Sequence, residues 1–265
     1  ALIELRPREG ETCLRTKDII DTFNQHGNSI ATVLIGSVNY YTGQAFEIEK
    51  ITKAAHNVGA RVAIDLAHGA GNLDLDLHNW EVDFAVWCSY KYLCGGPGSP
   101  GGVFVHEKHE NWNGPRFNGW WGNKKPTRFI MDSKFDPIVG AEGWQISNAP
   151  ILAMACLRSS MAIFSDAGMP AIIKKSKKLT GYLEYLIGSL GDKIKIITPK
   201  DSKQRGAQLS IVVKKNAKEV FNGLNSNHII CDWREPDVIR VAPVPLYNSF
   251  VDAYRFYEIV KDLKK

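Results

Sequence analysis

Residues 61–93 read RVAIDLAHGAGNLDLDLHNWEVDFAVWCSYKYL, and two short apolar runs within them decide the fold class. Arg61 to Ile64 is a compact run that ends in Asp65. Phe84 to Trp87 is a second, followed by Ser89-Tyr90-Lys91. Both are too short for helices and are expected as buried strands. Outward from them, Ile30 to Ile35 is a similar run, and Phe46 to Val58 carries apolar residues at helical spacing with Gly59 placed as its stop. Gly102 to Val105 is a further strand after a glycine-rich loop. Strands alternating with helices imply βαβ units and a mostly parallel sheet, so the chain is read as α/β. Ligands in such sheets bind beyond the carboxyl ends of the strands. Asp65 and Tyr90-Lys91 fall at that edge.

The remainder reads differently. Pro115 to Ile146 is loop-rich and contains Gly119-Trp120-Trp121-Gly122. A long helix is expected from Pro150 to about Phe164, and another from Pro170 to Leu190. Short strands follow at Ile194–Ile197, Gln208–Val213, His228–Cys231 and Val238–Val241, with helices at Ala217–Asn225 and Phe250–Leu263. This predicts a large unit over residues 1–165 and a small C-terminal α+β unit over 166–265. Repeats and low-complexity tracts are absent from the pattern.

Composition narrows the class. Hydrophobic residues make up 44% and charged residues 23% of 265, an ordinary globular mixture with ample core material. The net charge of +5 is spread along the chain and does not by itself imply nucleic acid. The longest apolar stretch, Ala149 to Leu157, falls well short of the roughly 20 residues of a membrane span. The N-terminal residues turn charged within a few positions, unlike a secretory signal. Five scattered cysteines without a CxxC pair suit a reducing compartment, and a cytoplasmic location is expected.

Four features could carry chemistry. Asp65-Leu66-Ala67-His68 puts a carboxylate at a strand end, which is costly to bury without a cationic partner; a helix cap or loop ion pair is the plainer use. Lys91 follows the next strand. A lysine beside a core is a candidate Schiff-base amine, although a single lysine at a strand end usually reaches solvent. The pair changes the odds. An Asp and a Lys at the ends of successive strands are what pyridoxal phosphate needs: the amine for its aldehyde, the carboxylate for its ring nitrogen. Gly95 to Gly102 lacks the phosphate-loop pattern and is expected to serve close backbone packing. Arg240, at the end of a strand in the small unit, could clamp a carboxylate in bidentate fashion or make a surface ion pair. Three other features fall away. His106-Glu107-Lys108-His109 has the wrong spacing for a zinc helix and reads as a solvated turn. The basic run Lys174 to Lys178 reads as an exposed helix face. Trp120-Trp121 reads as an apolar anchor, with an indole N–H that could also donate to a phosphate.

Together the segments Tyr41-Thr42-Gly43-Gln44, Asp65-Leu66-Ala67-His68, Cys88-Ser89-Tyr90-Lys91-Tyr92-Leu93, Ile146-Ser147-Asn148 and Ile239 to Phe250 resemble kynureninase. That family comprises pyridoxal-phosphate hydrolases of tryptophan catabolism with the aspartate-aminotransferase type of fold. The resemblance implies an incomplete large domain of that fold and the small C-terminal domain. It implies hydrolysis of L-kynurenine or 3-hydroxykynurenine to the corresponding anthranilate and L-alanine, in a homodimer, with neither nucleic acid nor membrane as partner. By the same resemblance Lys91 carries the cofactor aldehyde and shuttles a proton, and Asp65 pairs with the pyridine nitrogen. His68 lies beside the cofactor, and Tyr90 binds its phosphate and relays protons. Trp120 and Ser147-Asn148 reach cofactor or substrate across a dimer interface, Asn148 near the substrate's aromatic ring. Arg240 holds the substrate α-carboxylate.

The sequence also departs from the family. Cys94 stands where an Asn is usual, and a small polar residue near Gly36-Ser37 is expected to contact the cofactor. The family's chain is longer at its N-terminus, where its phosphate cup, stacking aromatic ring and a further carboxylate lie. On this resemblance the chain corresponds to the C-terminal part of a kynureninase. Two other readings stand beside it. One is a non-catalytic kynureninase remnant that acts at most as a binding or interaction protein. The other is a desulfurase or aminotransferase of the same cofactor class, for which Cys94 would be the candidate mobile nucleophile.

Overall fold

In the computed structural model, residues 1–130 and 132–263 are described. The elements run in the order α1 (Thr16–His26), β1 (Thr32–Gly36), α2 (Ile48–Asn57), β2 (Arg61–Asp65), β3 (Phe84–Trp87) and β4 (Gly102–Val105). There follow α3 (Ile151–Ala167), α4 (Met169–Gly188), β5 (Ile194–Ile196), β6 (Leu209–Val213), α5 (Ala217–Ser226), β7 (Asp232–Arg234), β8 (Val238–Val241) and α6 (Phe250–Leu263). Two four-stranded sheets organise them, in the orders β1-β2-β3-β4 and β5-β6-β8-β7. In the first, β1, β2 and β3 are parallel and β4 is antiparallel. The second is antiparallel throughout. This is the mostly parallel α/β sheet and the small α+β unit that the patterning predicts.

The first sheet buries one face. Ile35, Ile64 and Ala85 align across β1, β2 and β3 and pack with Val33 and Val62 onto Ile19 and Phe23 of α1 and Ile48, Ile51 and Ala55 of α2. The α2 residues recur at three- and four-residue intervals, which lays one apolar stripe against the sheet. Fully burying each such side chain is worth about 1.5–3 kcal/mol. The opposite face is open. Leu34 is 74% exposed, Val86 51% and Val103 42%, an apolar row on the surface. Helix α3 is similarly bare: Ser160 and Phe164 are buried, while Ile151, Leu152 and Ile163 stand exposed.

The second sheet carries the other core, formed by Leu209, Ile211, Ile239 and Val241 with Leu183 and Ile187 of α4 and Phe256 and Val260 of α6. One expected strand is displaced. His228–Cys231 forms no strand, and pairing begins at Asp232. The cause is the end of α5, where His228 takes a left-handed φ of 59° and the N–H groups of His228 and Ile229 cap the carbonyls of Asn225 and Leu224. That cap occupies the backbone a strand would need. Helix α1 is an element that the sequence pattern does not predict; its apolar stripe of Ile19 and Phe23 is short and its N-terminus has no side-chain cap.

The turn at residues 106–109 is solvated at Glu107 and Lys108 but not at its two histidines. His106 is buried and stacks on His78 with centroids 4.8 Å apart. His109 Nε2 lies 2.7 Å from Asp83 Oδ1, and His56 Nε2 lies 2.8 Å from Asp83 Oδ2. Asp83 also accepts the Val62 N–H at 2.7 Å and sits 3.1 Å from Lys108 Nζ. This buried carboxylate fastens α2, β2 and the 106–109 turn at the edge of the sheet opposite Asp65.

Candidate active site

The strand ends build the site. Asp65 closes β2, and its backbone carbonyl accepts the Ser37 N–H at 2.8 Å and the Ser37 hydroxyl at 3.1 Å. Its Oδ1 accepts the Ala67 N–H at 2.7 Å, which fixes the carboxylate over the following turn. A tight bend then brings His68 round. Gly69 is required there, since a Cβ on it would stand 2.4 Å from the Ser37 hydroxyl. Lys91 arrives from the loop after β3. Asp65, His68, Lys91, Arg234 and Arg240 all line one cleft of about 990 Å³, with Tyr40 at its wall.

The electrostatics of the cleft are cationic. Lys91 has no hydrogen-bond or ion-pair partner among the described residues. Burial, followed by the charges of Lys91 and Arg240, pushes the His68 imidazole down to about 4, so it is uncharged at neutral pH. Its Nδ1 is buried with no hydrogen-bond partner. Behind it, Tyr92 stands edge-on, and burial pushes its phenol up to about 12, keeping it protonated.

Arg240 reaches the cleft from the second sheet. Three consecutive carbonyls of the loop after β1 are held by side chains of that sheet and of the residues flanking its strands. Tyr40 accepts from Gln208 Nε2 at 3.0 Å and from Arg240 Nη1 at 2.7 Å. Tyr41 accepts from the Ser210 hydroxyl at 2.5 Å, and Thr42 from the Thr198 hydroxyl at 2.6 Å. Asn39 Oδ1 shapes this loop by accepting the N–H groups of Tyr41 and Thr42. Gly43, at φ 75°, lies where a Cβ would press on the Gln208 carbonyl at 3.2 Å. The Tyr41-Thr42-Gly43-Gln44 motif thus joins the two sheets and sets Arg240 opposite Asp65 and Lys91.

Of the residues singled out in the sequence, Asp65, His68, Lys91 and Arg240 come together, and Tyr90, Trp120 and Asn148 do not join them. Tyr90 is 55% exposed and turned from the cleft beside Cys88. Trp120 donates its indole N–H to the Arg128 carbonyl at 2.7 Å, so that donor is already engaged within the chain. Asn148 borders a separate apolar hollow of about 1070 Å³ with Trp87, Leu93 and Met154. Ser37 is buried against Asp65, and the neighbouring Gly36 is the residue that meets the cleft. The glycine-rich loop packs closely at its two ends, where a Cβ at Gly95 would fall 2.9 Å from the Ser89 carbonyl and one at Gly102 2.3 Å from the Trp87 indole, while Gly96 and Gly98 between them face open space at positive φ. Cys94 has a left-handed φ of 55°, a conformation that Asn tolerates better, and burial pushes its thiol up, away from the thiolate a desulfurase nucleophile needs. Reading the sequence missed Arg234, Asp232 and Tyr40, the last because it contributes a main-chain carbonyl.

The donor set fits pyridoxal phosphate. A free amine, a carboxylate anchored by one oxygen, a buried imidazole nitrogen with no partner and a guanidinium share one cleft, which is what an aldehyde-bearing pyridine and an amino acid require.

Comparison with known proteins bears on this arrangement. Residues 172–260 match the model of the kynureninase C-terminal domain. The chain is 56% identical over 263 residues to the kynureninase of Myxococcus xanthus, covering 98% of this chain and 62% of that protein. It is 46% identical to the kynureninase of Monosiga brevicollis, covering 99% of this chain and 58% of that one. Among solved structures, the apo cysteine desulfurase of Thermococcus onnurineus superposes with a TM-score of 0.78 at 18% identity, over 96% of this chain and 64% of that one. The alanine–glyoxylate aminotransferase of a Nostoc species gives 0.72 at 16%, over 95% and 66%. At such identities these structures speak for the fold alone, which is that of the pyridoxal-phosphate-dependent transferases. The chain spans about three fifths of the length of the curated relatives it matches. Over nearly all of its residues, the chain is a homologue of the kynureninases.

Proposed function

We propose that the chain carries the cofactor-facing and carboxylate-binding residues of a kynureninase, which hydrolyses L-kynurenine or 3-hydroxykynurenine to the corresponding anthranilate and L-alanine. The observation that carries this reading is the meeting of Asp65, His68, Lys91 and Arg240 in one cleft. Pyridoxal phosphate, when bound, supplies an aldehyde that engages amines and a protonated ring that withdraws electrons. Lys91 would present the amine that holds the aldehyde and would be the base nearest a substrate Cα proton. Asp65 holds a proton on the ring nitrogen. Neutral His68 offers a hydrogen bond without adding charge beside Lys91. Arg240 orients the substrate by its α-carboxylate. Cleavage of the Cβ–Cγ bond would need water at the side-chain ketone and a proton donor beside it; Tyr90, turned from the cleft, would have to swing inward to be that donor.

Trp120 and Asn148 are exposed and lie away from their own cleft, which supports a role at the cleft of a second protomer in a homodimer. A cytoplasmic location goes with this reading. The apolar face at Leu34, Val86 and Val103 favours a second reading, a non-catalytic chain that binds a partner.

Titration with pyridoxal phosphate, borohydride reduction and peptide mapping test the proposal. The label is expected on Lys91, with anthranilate released from kynurenine, and both are lost in Lys91→Ala. Visible absorbance and turnover that persist in Lys91→Ala refute it. A chain that takes up neither cofactor nor kynurenine supports the second reading.

A further inference from the structure

Strand β7 is a three-residue edge strand, and its pairing with β8 sets Asp232 directly across from Arg240 and Trp233 across from Ile239. Alternation along the strands then separates the two faces. Trp233 and Ile239 belong to the core, while Asp232, Arg234 and Arg240 share the face that looks to the cleft. Arg240 Nη2 donates to Asp232 Oδ2, and its Nη1 to the Tyr40 carbonyl. The same Asp232 oxygen lies 3.1 Å from Arg234 Nη2. One carboxylate is therefore shared by two guanidinium groups that both line the cleft. The sharing is unequal in setting. Arg240 is only 13% exposed and is pinned at two points, whereas Arg234 is half-exposed with a buried Nε that has no partner.

We propose that Asp232 is a positioning residue that fixes the Arg240 guanidinium for an incoming α-carboxylate, and that Arg234 holds Asp232 at this shared position. The inference rests on the functional reading above and adds what makes the clamp rigid. A guanidinium on a flexible stem loses rotamer freedom when it binds, and a clamp already ordered by Asp232 and Tyr40 avoids that loss. Arg234 has a second effect. By drawing on the same carboxylate, it keeps Asp232 from closing fully over the Arg240 edge that a ligand must reach.

Removing Asp232 also leaves one more positive charge, which by itself attracts an anion. At about 0.5 M salt that attraction is screened beyond a few ångströms, while the geometric effect remains. The test is therefore made at that ionic strength on the full chain, with two readouts. One is the Arg240 Nε–H signal in nitrogen-15 NMR, which needs no cofactor. The other is the affinity ratio between L-kynurenine and kynuramine, the same ligand without its carboxylate. A general structural defect lowers both affinities together and leaves the ratio alone.

Asp232→Asn is expected to mobilise the Arg240 side chain and to cut the ratio five- to tenfold, with Asp232→Glu recovering part of it. Arg234→Gln is expected to cut it about threefold, with Arg234→Lys restoring it. If Asp232→Asn fails to fold, the Arg234 pair carries the test. An Arg240 signal as ordered in Asp232→Asn as in the parent chain, or an unchanged ratio in Arg234→Gln, overturns the proposal. A parent chain that binds both ligands alike overturns the functional reading and with it the carboxylate-binding part of this proposal, and the ordering of Arg240 by Asp232 is then decided by the NMR signal alone.

Discussion

The His68 imidazole stands edge-on to the Tyr92 ring, with centroids 6.1 Å apart and planes inclined at 64°, and its Nδ1 is buried without a partner. A ring so placed gains nothing from a proton. Burial disfavours the cation first, and Lys91 and Arg240 add repulsion that Asp65 only partly offsets. The native value of about 4 lies below the ordinary value near 6.5, so in that window the unfolded chain binds more protons than the folded one. Stability is expected to fall as pH drops from 6.5 toward 4. His68→Gln should flatten this slope in urea titrations. Proton NMR of the ring in Lys91→Met should show its midpoint move upward. A midpoint that stays put when Lys91 loses its charge would remove Lys91 from the account.

Asp83 governs a lower window. Burial alone would raise its carboxyl, but His56, the Val62 N–H, His109 and Lys108 outweigh that and hold it well below the usual carboxylate range. Its contribution is complete above the unfolded value near 4 and is lost as pH falls through the depressed native value. Asp83→Asn is expected to cost about 2–4 kcal/mol at neutral pH, because the buried partners lose their carboxylate. The difference between variant and parent should shrink steadily below pH 4 in chemical denaturation. A constant difference from pH 7 to 2 would show that the charge is not the cause.

The legibility of the chain follows the same division. Strands β2, β3 and β4 could be read because apolar runs that short, bounded by turns, leave few alternatives, and Asp65 and Lys91 followed from their ends. Asp83 could not be read, since its partners at 56, 62, 108 and 109 converge only when α2 and the turn after β4 fold onto one sheet edge. His106 and His109 looked solvated for that reason. Asp232 and Arg234 were hidden by the misplaced strand: an expected end at Cys231 leaves both in the following loop, where no strand alternation places them on the face of Arg240. Asn148 carried only a family resemblance, and nothing in the local spacing of Trp120 or Asn148 ties either to the cleft.

Cys94 offers a gain in stability. Its φ of 55° is one that L-residues other than Asn and Asp adopt at a cost of about 1–2 kcal/mol, and the thiol donates to the Tyr92 carbonyl at 3.4 Å. Cys94→Asn is expected to stabilise by about 0.5–1 kcal/mol, and Cys94→Ala to leave the backbone cost in place. Thermal unfolding of both variants decides it. Equal melting temperatures for the two would mean that the neighbouring Gly95, whose Cβ position lies 2.9 Å from the Ser89 carbonyl, already relieves the turn.

The Thr198 hydroxyl is a two-sided link in the seam between the sheets. It donates to the Thr42 carbonyl at 2.6 Å and accepts the Ser210 N–H at 2.7 Å, so one buried oxygen satisfies a main-chain group on each side. Thr198→Val keeps the shape and removes both bonds, stranding a carbonyl and an N–H away from water. Each stranded group costs about 1–3 kcal/mol, and a total loss of about 2–4 kcal/mol is expected in urea unfolding. The consequence for the cleft follows from geometry. Thr42, Tyr41 and Tyr40 are consecutive, and the Tyr40 carbonyl is what Arg240 grips. Hydrogen exchange in Thr198→Val should therefore quicken at Ser210 and across residues 39–44, while the amides of β2 and β3 keep their protection. Faster exchange across β2 and β3 as well would mean that the first sheet depends on the second for its own stability, rather than only for the placement of Arg240.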